Sequence, residues 1–238
     1  METPAAPAPS DVATLLAQLQ REPGRPRITW YGGLGERVEL SGAVLANWVT
    51  KTTNLLVEEF DAGPGTRVLL DLPPHWRTLV WALATWRTGA GVVVAPAPAP
   101  DVVVTDRPET HAGAADVVAV ALPALARRFD GALPPRAVDA AAAVMTYGDA
   151  LGWAPTPDAA QDALPGVPHA RLLTSADGHV APGTRLLHHV PAGAVTPAEL
   201  LREVAVLAAD GSLVLLAPDA GVDVERVAAS ERATTSAS

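Results

Sequence analysis

Apolar residues recur every three to four positions in five stretches of the chain, which is the spacing of one helix face. This spacing predicts helices at 11–21, 41–60, 73–89, 196–209 and 222–230. The second of these has the longest apolar face, which comprises Val44, Leu45, Trp48, Val49, Thr52, Leu55, Leu56 and Phe60. Ser10 and Ser41 are the expected N-caps of the first two helices, because a serine hydroxyl accepts a hydrogen bond from a free amide of the first turn.

Short runs of β-branched and apolar residues lie between the predicted helices. The runs at 27–31 and 37–40 flank a glycine-rich turn and predict an antiparallel hairpin. The remaining runs each contain consecutive apolar residues, and those of the strand–helix–strand unit at 67–95 are continuous, which is typical of strands that helices cover on both faces of a parallel sheet. They lie at 67–72, 91–95, 102–105, 117–122, 171–174, 185–190 and 212–217.

This order of elements predicts an α/β fold, with a mostly parallel sheet, helices on both faces and an N-terminal β-hairpin. A proline-rich stretch at 152–170 is the predicted linker between two α/β halves, and 137–151 shows a weak helical pattern. The predicted division is a disordered tail at 1–9, a first half at 10–151, the linker, a second half at 171–232 that packs on the first, and a disordered tail at 233–238.

Composition narrows the classes of function. The chain of 238 residues has no cysteine, which excludes disulfides, cysteine-ligated metals and a cysteine nucleophile. Its net charge of −9 argues against nucleic acid as a partner, because phosphate binding needs clustered Lys and Arg. No apolar run reaches the roughly 18–20 residues of a membrane helix, and no signal peptide is recognised, so we expect a cytoplasmic protein without membrane insertion.

The basic residues are biased toward arginine. Of the 17 basic residues only Lys51 is a lysine, and with the abundant Ala, Gly and Pro this bias is typical of a high-GC bacterial genome. Any phosphate chemistry that depends on a lysine must therefore use Lys51.

Three scaffold motifs occur in order between residues 28 and 95. They are Leu45-Ala46-Asn47-Trp48, Gly63-Pro64-Gly65-Thr66-Arg67-Val68, and Trp86-Arg87-Thr88-Gly89-Ala90 with the strand 92–94 behind it. Their order and spacing resemble the start of the adenylate-forming (AMP-binding) enzymes, such as acyl-CoA synthetases and nonribosomal-peptide adenylation domains. The resemblance is close over 28–106 and fair over 185–235, and it implies part of that family's large N-terminal domain.

The family's phosphate loop has a degraded counterpart here. Thr174 and Ser175 match the loop, whereas Ala176 and Asp177 depart from it and no lysine follows. The resemblance thus implies a vestigial nucleotide site at Thr174, Ser175 and Gly178. The family's magnesium motif, ribose-binding aspartate and C-terminal catalytic domain have no counterpart in this chain, so we expect an inactive relative, similar to a small group of shortened AMP-binding proteins from high-GC bacteria.

Three histidines are candidate pocket residues. His75 follows a predicted strand at the end of the sheet where α/β proteins bind ligands. His188 or His189 falls near a histidine that lines the acyl pocket in the adenylate-forming enzymes, and the alternative for both is a strand residue at the sheet edge. Neighbouring strand residues point to opposite faces, so the pair does not chelate one ion, and no metal site is predicted.

Two other patterns have structural interpretations that we favour. Gly32-Gly33-Leu34-Gly35 lacks the spacing of a dinucleotide loop and predicts a hairpin turn. Trp76, Trp81 and Trp86 could stack on a ligand, but their helix needs a buried face, so we expect them in the core.

The leading hypothesis is a non-catalytic, adenylate-forming-like protein that binds a partner protein or a small molecule without a cofactor. One alternative is a reduced AMP-binding enzyme that retains nucleotide or acyl-group binding, with ATP or AMP and magnesium. Another is a scaffold subunit that a second chain completes. The sequence leaves the ligand and the oligomeric state open.

Overall fold

The computed structural model describes residues 8–95, 99–114, 116–175 and 180–235. The helices are α1 Val12–Leu19, α2 Gly42–Phe60, α3 Trp76–Thr88, α4 Ala140–Ala143, α5 Pro197–Ala208 and α6 Val224–Glu231. The strands are β1 Pro26–Tyr31, β2 Arg37–Ser41, β3 Arg67–Asp71, β4 Gly91–Val94, β5 Val102–Thr105, β6 Val117–Ala119, β7 Val138–Asp139, β8 Asp162–Leu164, β9 Val167–Pro168, β10 Arg185–His189, β11 Ser212–Leu216 and β12 Thr234–Thr235.

The strands form two five-stranded sheets and one small hairpin. The first sheet has the order β12-β10-β11-β1-β2, and all its neighbours are parallel except the antiparallel pair β1–β2. The second has the order β4-β3-β5-β6-β7 and is parallel throughout. The predicted α/β class and N-terminal hairpin are confirmed, with the strands divided between two sheets instead of one.

Four helices fill the space between the two sheets. One hydrophobic cluster joins Ile28 and Leu215 of the first sheet to Leu70 and Val104 of the second, through α1, α2, α3 and α5. The three tryptophans of α3 are buried, and the expected core position is confirmed. Val44, by contrast, is exposed although it falls on the predicted apolar face of α2. It lies in the first turn of α2, beside the Ser41 cap.

The outer faces of the sheets are covered differently. Val227 of α6 packs on Val214 and Leu216 of the first sheet. On the second sheet, Leu69 and Val103 pack with alanines of the connecting loops.

Several elements begin or end at other residues than predicted, in two cases because a side chain accepts a hydrogen bond from a backbone N–H at the start of the helix. Asp11, not Ser10, caps α1, in a reciprocal capping box with Thr14. Helix α3 begins after His75, not at Pro73-Pro74, because the ring of His75 accepts the hydrogen bond of the first turn. The weak pattern at 137–151 yields only the single turn of α4 and a short 3₁₀ turn.

The predicted strand at 171–174 is wrong. His169–Thr174 forms a 3₁₀ helix. The hydroxyls of Thr174 and Ser175 both donate to the carbonyl of Arg171, a local hydrogen bond that competes with strand pairing. Leu172 and Leu173 are nevertheless buried.

The proline-rich stretch at 152–170 contains structure of its own. Strands β8 and β9 pair as a short hairpin, and Ala163 and Leu164 are buried. The indole Nε1 of Trp86 donates to the carbonyl of Ala163 over 2.7 Å. This stretch is therefore packed against α3, and pairing of β1 with β11 joins the two predicted halves in one sheet.

The predicted tails are described only in part. Residues 1–7 and 236–238 lie outside the described residues. Thr234–Thr235 were expected in a disordered tail but pair with β10 as β12.

A charged network fixes α6 to the first sheet. The Glu231 carboxylate accepts from the Tyr31 hydroxyl over 2.6 Å, from Arg37 over 3.0 Å and from Arg185 over 2.5 Å. Arg185 also donates to Thr29 and Ser212. Burial alone would raise the pKa of Glu231, but the hydrogen bonds from Tyr31, Arg185 and Arg37 outweigh it and lower that pKa to about 2.

This network predicts acid sensitivity. A carboxyl whose folded pKa is depressed contributes stability that is present above its unfolded pKa of roughly 4.3 and is lost as the pH falls through about 2. Glu231→Gln should lower the free energy of unfolding at pH 7 by about 1–3 kcal/mol and flatten its dependence on pH in this window. Urea unfolding checks both effects, and Glu225→Gln on the exposed side of α6 should change stability by less than about 0.5 kcal/mol.

The contact between Trp86 and Ala163 predicts that the proline-rich stretch contributes to folding. Trp86→Phe leaves a buried carbonyl unpaired and a small void, and should lower the free energy of unfolding by about 2–4 kcal/mol. Trp153→Phe, at an exposed position of the same stretch, is the matched control and should have almost no effect. Equal melting temperatures for the two variants would contradict this role of the stretch.

Candidate functional site

The carboxyl ends of four parallel strands, two from each sheet, surround one cleft of about 530 Å³. The loops that follow β1, β3, β6 and β11 supply its lining, at 32–36, 73–75, 122–123 and 217–219. Trp30 contributes from within β1. Ligands of open α/β sheets bind at this end of the strands, and the volume lies within the range of small-molecule pockets.

His75 lies in the cleft wall and is only 4% exposed. Its Nδ1 accepts from the backbone N–H of Arg77 over 3.1 Å, and its ring meets Trp30 edge-on at 4.4 Å between centroids. Burial lowers the pKa of His75 to about 3, and the Arg77 guanidinium acts in the same direction. The ring is therefore neutral near pH 7, and because Nδ1 accepts, the proton is on Nε2. Nε2–H has no hydrogen-bond partner among the described residues.

The glycine-rich turn between β1 and β2 forms one side of the cleft. A side chain at Gly32 would come within 2.7 Å of Nε1 of Trp30, and one at Gly33 would collide with the Asp219 carboxylate. The predicted hairpin turn is confirmed. At its tip, Leu34 has a φ of 56°, in the left-handed region, and its side chain is fully exposed.

Two carboxylates face the cleft. Glu36 ties two of its loops together, because it accepts from the Trp30 indole N–H over 3.0 Å and from the backbone N–H of Ala124 over 2.8 Å. Asp219 is exposed at the mouth and has no hydrogen bond or ion pair with any described residue. Within the described chain, no Lys or Arg lines the cleft.

Arg77 lies behind one of these loops, the segment 122–124. Its guanidinium donates to the carbonyls of Leu122, Pro123 and Ala124 and stacks over Trp76 at 4.3 Å from the ring centroid. It therefore holds the 122–124 loop in place, and the cleft keeps a negative lining.

Of the sequence-predicted site residues that the structure describes, His75 is the one that lines the cleft. Thr174 and Ser175 lie in the 3₁₀ turn, with both hydroxyls engaged by the Arg171 carbonyl. Gly178 lies outside the described residues. The nucleotide role of these three stays a prediction.

His188 and His189 point to opposite faces of β10, as expected. His188 is buried, with Nε2 3.4 Å from Arg202, and burial together with the charge of Arg202 lowers its pKa to about 4. His189 is exposed. β10 pairs with β11 along its whole length, whereas β12 pairs only with Leu186 and Leu187, so among the described residues the β12 side of His188 and His189 is an open sheet edge. An acyl-pocket role for either histidine stays a prediction.

Sequence reasoning missed Glu36 and Asp219. The signal available was that each follows a strand that ends at the same side of the sheet. Among the described residues, no group of three or more His, Asp or Glu side chains is arranged to hold a metal ion. Nor does any described helix combine the length and apolar character of a membrane-spanning segment.

We compared the sequence and the structure with those of known proteins. No family model matches the chain. Over 148 residues it is 38% identical to a protein of Mycobacterium tuberculosis whose name gives only a family number, and this match covers 58% of the chain and 60% of that protein.

Solved structures share almost the whole described architecture. The acyl-CoA synthetase of Brucella canis matches with a TM-score of 0.66 and 16% identity, over 94% of this chain and 49% of that one. The N-terminal domain of FACL13 from Mycobacterium tuberculosis matches at 0.62 and 16%, over 95% and 62%. An artificially fused adenylation and carrier-protein di-domain from Klebsiella oxytoca matches at 0.63 and 16%, over 96% and 43%. The fold is that of the adenylate-forming enzymes.

At these identities the likeness concerns the adenylate-forming fold alone. The chain spans about half the length of the Brucella synthetase and 60% of its mycobacterial relative. The cleft is thus built from strands of the adenylate-forming scaffold, and its chemistry has to be argued from its own side chains.

The neutral state of His75 predicts a measurable pH dependence. A histidine whose folded pKa lies below its unfolded value binds a proton only on unfolding, so stability falls as the pH drops below about 6.5. Between pH 7 and 5 the wild type should lose about 2 kcal/mol more of its free energy of unfolding than His75→Asn, which keeps a helix-capping oxygen. His188 and His169 are present in both proteins, so their contributions cancel. Parallel pH profiles in urea unfolding would contradict a neutral, buried His75.

Proposed function

We propose that the protein is a non-catalytic binding protein with the adenylate-forming fold, and that the cleft at the carboxyl ends of β1, β3, β6 and β11 binds a small, largely apolar molecule. The observation that carries the proposal is this cleft, with its proline and leucine walls and the unpartnered Nε2–H of His75. Such pockets combine an apolar lining with a few polar groups that orient the ligand. The composition further supports a cytoplasmic protein of a high-GC bacterium.

The side chains that could bind a nucleotide are already bonded to other groups of the protein. The ammonium of Lys51 donates to the carbonyl of Tyr147 over 2.6 Å and pairs with Asp149 at 2.7 Å. The hydroxyls of Thr174 and Ser175 are satisfied by the Arg171 carbonyl. The cleft lining offers carboxylates where triphosphate binding needs cations. We therefore propose that neither ATP nor magnesium is required.

Leu34 gives independent support for a binding role. A non-glycine residue in the left-handed region costs about 1–2 kcal/mol, and a fully exposed leucine recovers none of this by packing. Strain of this kind concentrates at ligand and partner sites. Leu34 lies at the mouth of the cleft, where its side chain can contact an occupant.

The experiment is a titration of purified protein with 1-hexanol, ATP plus magnesium, AMP and coenzyme A, followed by thermal shift and by amide NMR shifts. A ligand at 100 times its Kd stabilises by about 2.7 kcal/mol, which corresponds to roughly 5–10 °C for a chain of this size. We expect 1-hexanol to shift the amides of 32–36 and the nucleotides to shift none of them. Nucleotide binding would instead favour the reduced AMP-binding enzyme, and no binding by any probe would favour a protein partner.

Replacement of Leu34 tests whether its side chain contacts a ligand in the cleft. Leu34→Asn suits the left-handed backbone better, so we expect the free energy of unfolding to rise by about 0.5–1 kcal/mol while the affinity for 1-hexanol falls. Leu125→Asn, at another exposed leucine outside the cleft lining, is the control and should leave affinity unchanged. A rise in stability with no loss of affinity would remove Leu34 from the site.

A further inference from the structure

The charge of the cleft limits which small molecules fit it. Its lining carries Glu36 and Asp219 and, within the described chain, no basic side chain. Glu36 is partly balanced by Arg77 behind the 122–124 loop and is held by two N–H donors. Asp219 has no partner among the described residues, so its charge is available to an occupant.

The position of Asp219 is set by the glycine turn. A side chain at Gly33 would collide with the Asp219 carboxylate, so that carboxylate lies directly against the turn. Asp219 follows β11 and Gly33 follows β1, and the two strands are paired in parallel. The fold therefore places the Asp219 carboxylate beside the glycine turn, in the lining of the cleft.

A second feature of the same cleft indicates a ligand independently of charge. His75 is more than nine-tenths buried and lines the cleft, with Nδ1 occupied and Nε2–H unpartnered among the described residues. Nε2 of His75 is not among the fully buried unpartnered atoms, so water reaches it through the cleft, and an acceptor atom on a ligand would take the place of that water. The walls around it, Pro73, Pro74 and Leu122, offer only apolar surface to the rest of the molecule.

We propose that the occupant is an organic cation: a molecule with an apolar body, a hydrogen-bond acceptor that reaches Nε2–H of His75, and a protonated amine that pairs with the Asp219 carboxylate at the mouth. This inference rests on the proposed function and adds the class of ligand. It excludes carboxylates and phosphates from the cleft, because either would approach two negative charges without a compensating cation.

The test compares three probes with the same six-carbon chain and different charge: hexylammonium, 1-hexanol and hexanoate. Affinities are measured by calorimetry, and amide NMR shifts locate the binding site, at low and at high salt. One exposed ion pair contributes up to about 1 kcal/mol, so hexylammonium should bind roughly fivefold more tightly than 1-hexanol. Hexanoate should bind more weakly than both, and the differences should shrink in salt.

Two charge-neutralising variants separate the site from the general negative charge of the protein. Asp219→Asn should abolish the preference for hexylammonium over 1-hexanol and keep 1-hexanol binding. Asp130→Asn removes the same charge at an exposed position outside the cleft lining and should keep the preference. Asp219→Glu should retain at least part of it. Asp219 makes no contact that folding requires, and equal melting temperatures confirm that the variants are folded.

The outcomes distinguish the two proposals. If 1-hexanol binds in the cleft and hexylammonium binds no better, or if Asp130→Asn removes the preference as fully as Asp219→Asn, the organic-cation inference is overturned and the binding function stands. If none of the three probes shifts the cleft amides, both are overturned.

Discussion

The parallel pairing of β1 with β11 is the constraint on which the site depends. These strands lie near opposite ends of the chain, with Ile28 beside Leu213 and Tyr31 beside Leu216. Arg27, fully buried, reinforces the start of the pair by donating to the carbonyl of Asp210 over 2.9 Å and pairing with its carboxylate at 2.8 Å. At the other end the N–H of Ala217 donates to the carbonyl of Tyr31. A one-residue slip would turn every side chain of β1 to the wrong face and separate the two loops of the cleft mouth.

The elements that the sequence predicted well are those specified by local contacts. Helix α2 needs only its Ser41 cap and its own periodicity, and the β1–β2 hairpin needs only the glycine turn. The 3₁₀ helix at His169–Thr174 was missed because hydroxyl bonds to the Arg171 carbonyl compete with strand pairing and because His169 contacts the distant Gly89 carbonyl. The hairpin in the proline-rich stretch was missed because it depends on a distant partner, Trp86. A short apolar segment has no intrinsic preference strong enough to decide between strand and turn.

The candidate site was predictable in outline and not in detail. His75 was found because a residue that follows a buried strand falls at the binding end of an α/β sheet. Asp219 was missed because its nearness to Gly33 exists only once β1 and β11 are paired across more than three-quarters of the chain. The resemblance to adenylate-forming enzymes directed attention to Thr174 and Ser175, whereas the cleft that the fold builds is lined by other loops. A shared fold therefore does not identify the residues that line the cleft of this protein.

His75 also connects the cleft to the interior. One nitrogen of its ring accepts the first-turn N–H of α3, and the other carries a proton that no described residue accepts, so both sit on one aromatic electron system. An acceptor at Nε2 polarises the ring and makes Nδ1 a better acceptor for the first turn of α3. The rings of Trp30 and Trp76 lie beside that of His75, so their indole fluorescence would report an acceptor bound at Nε2.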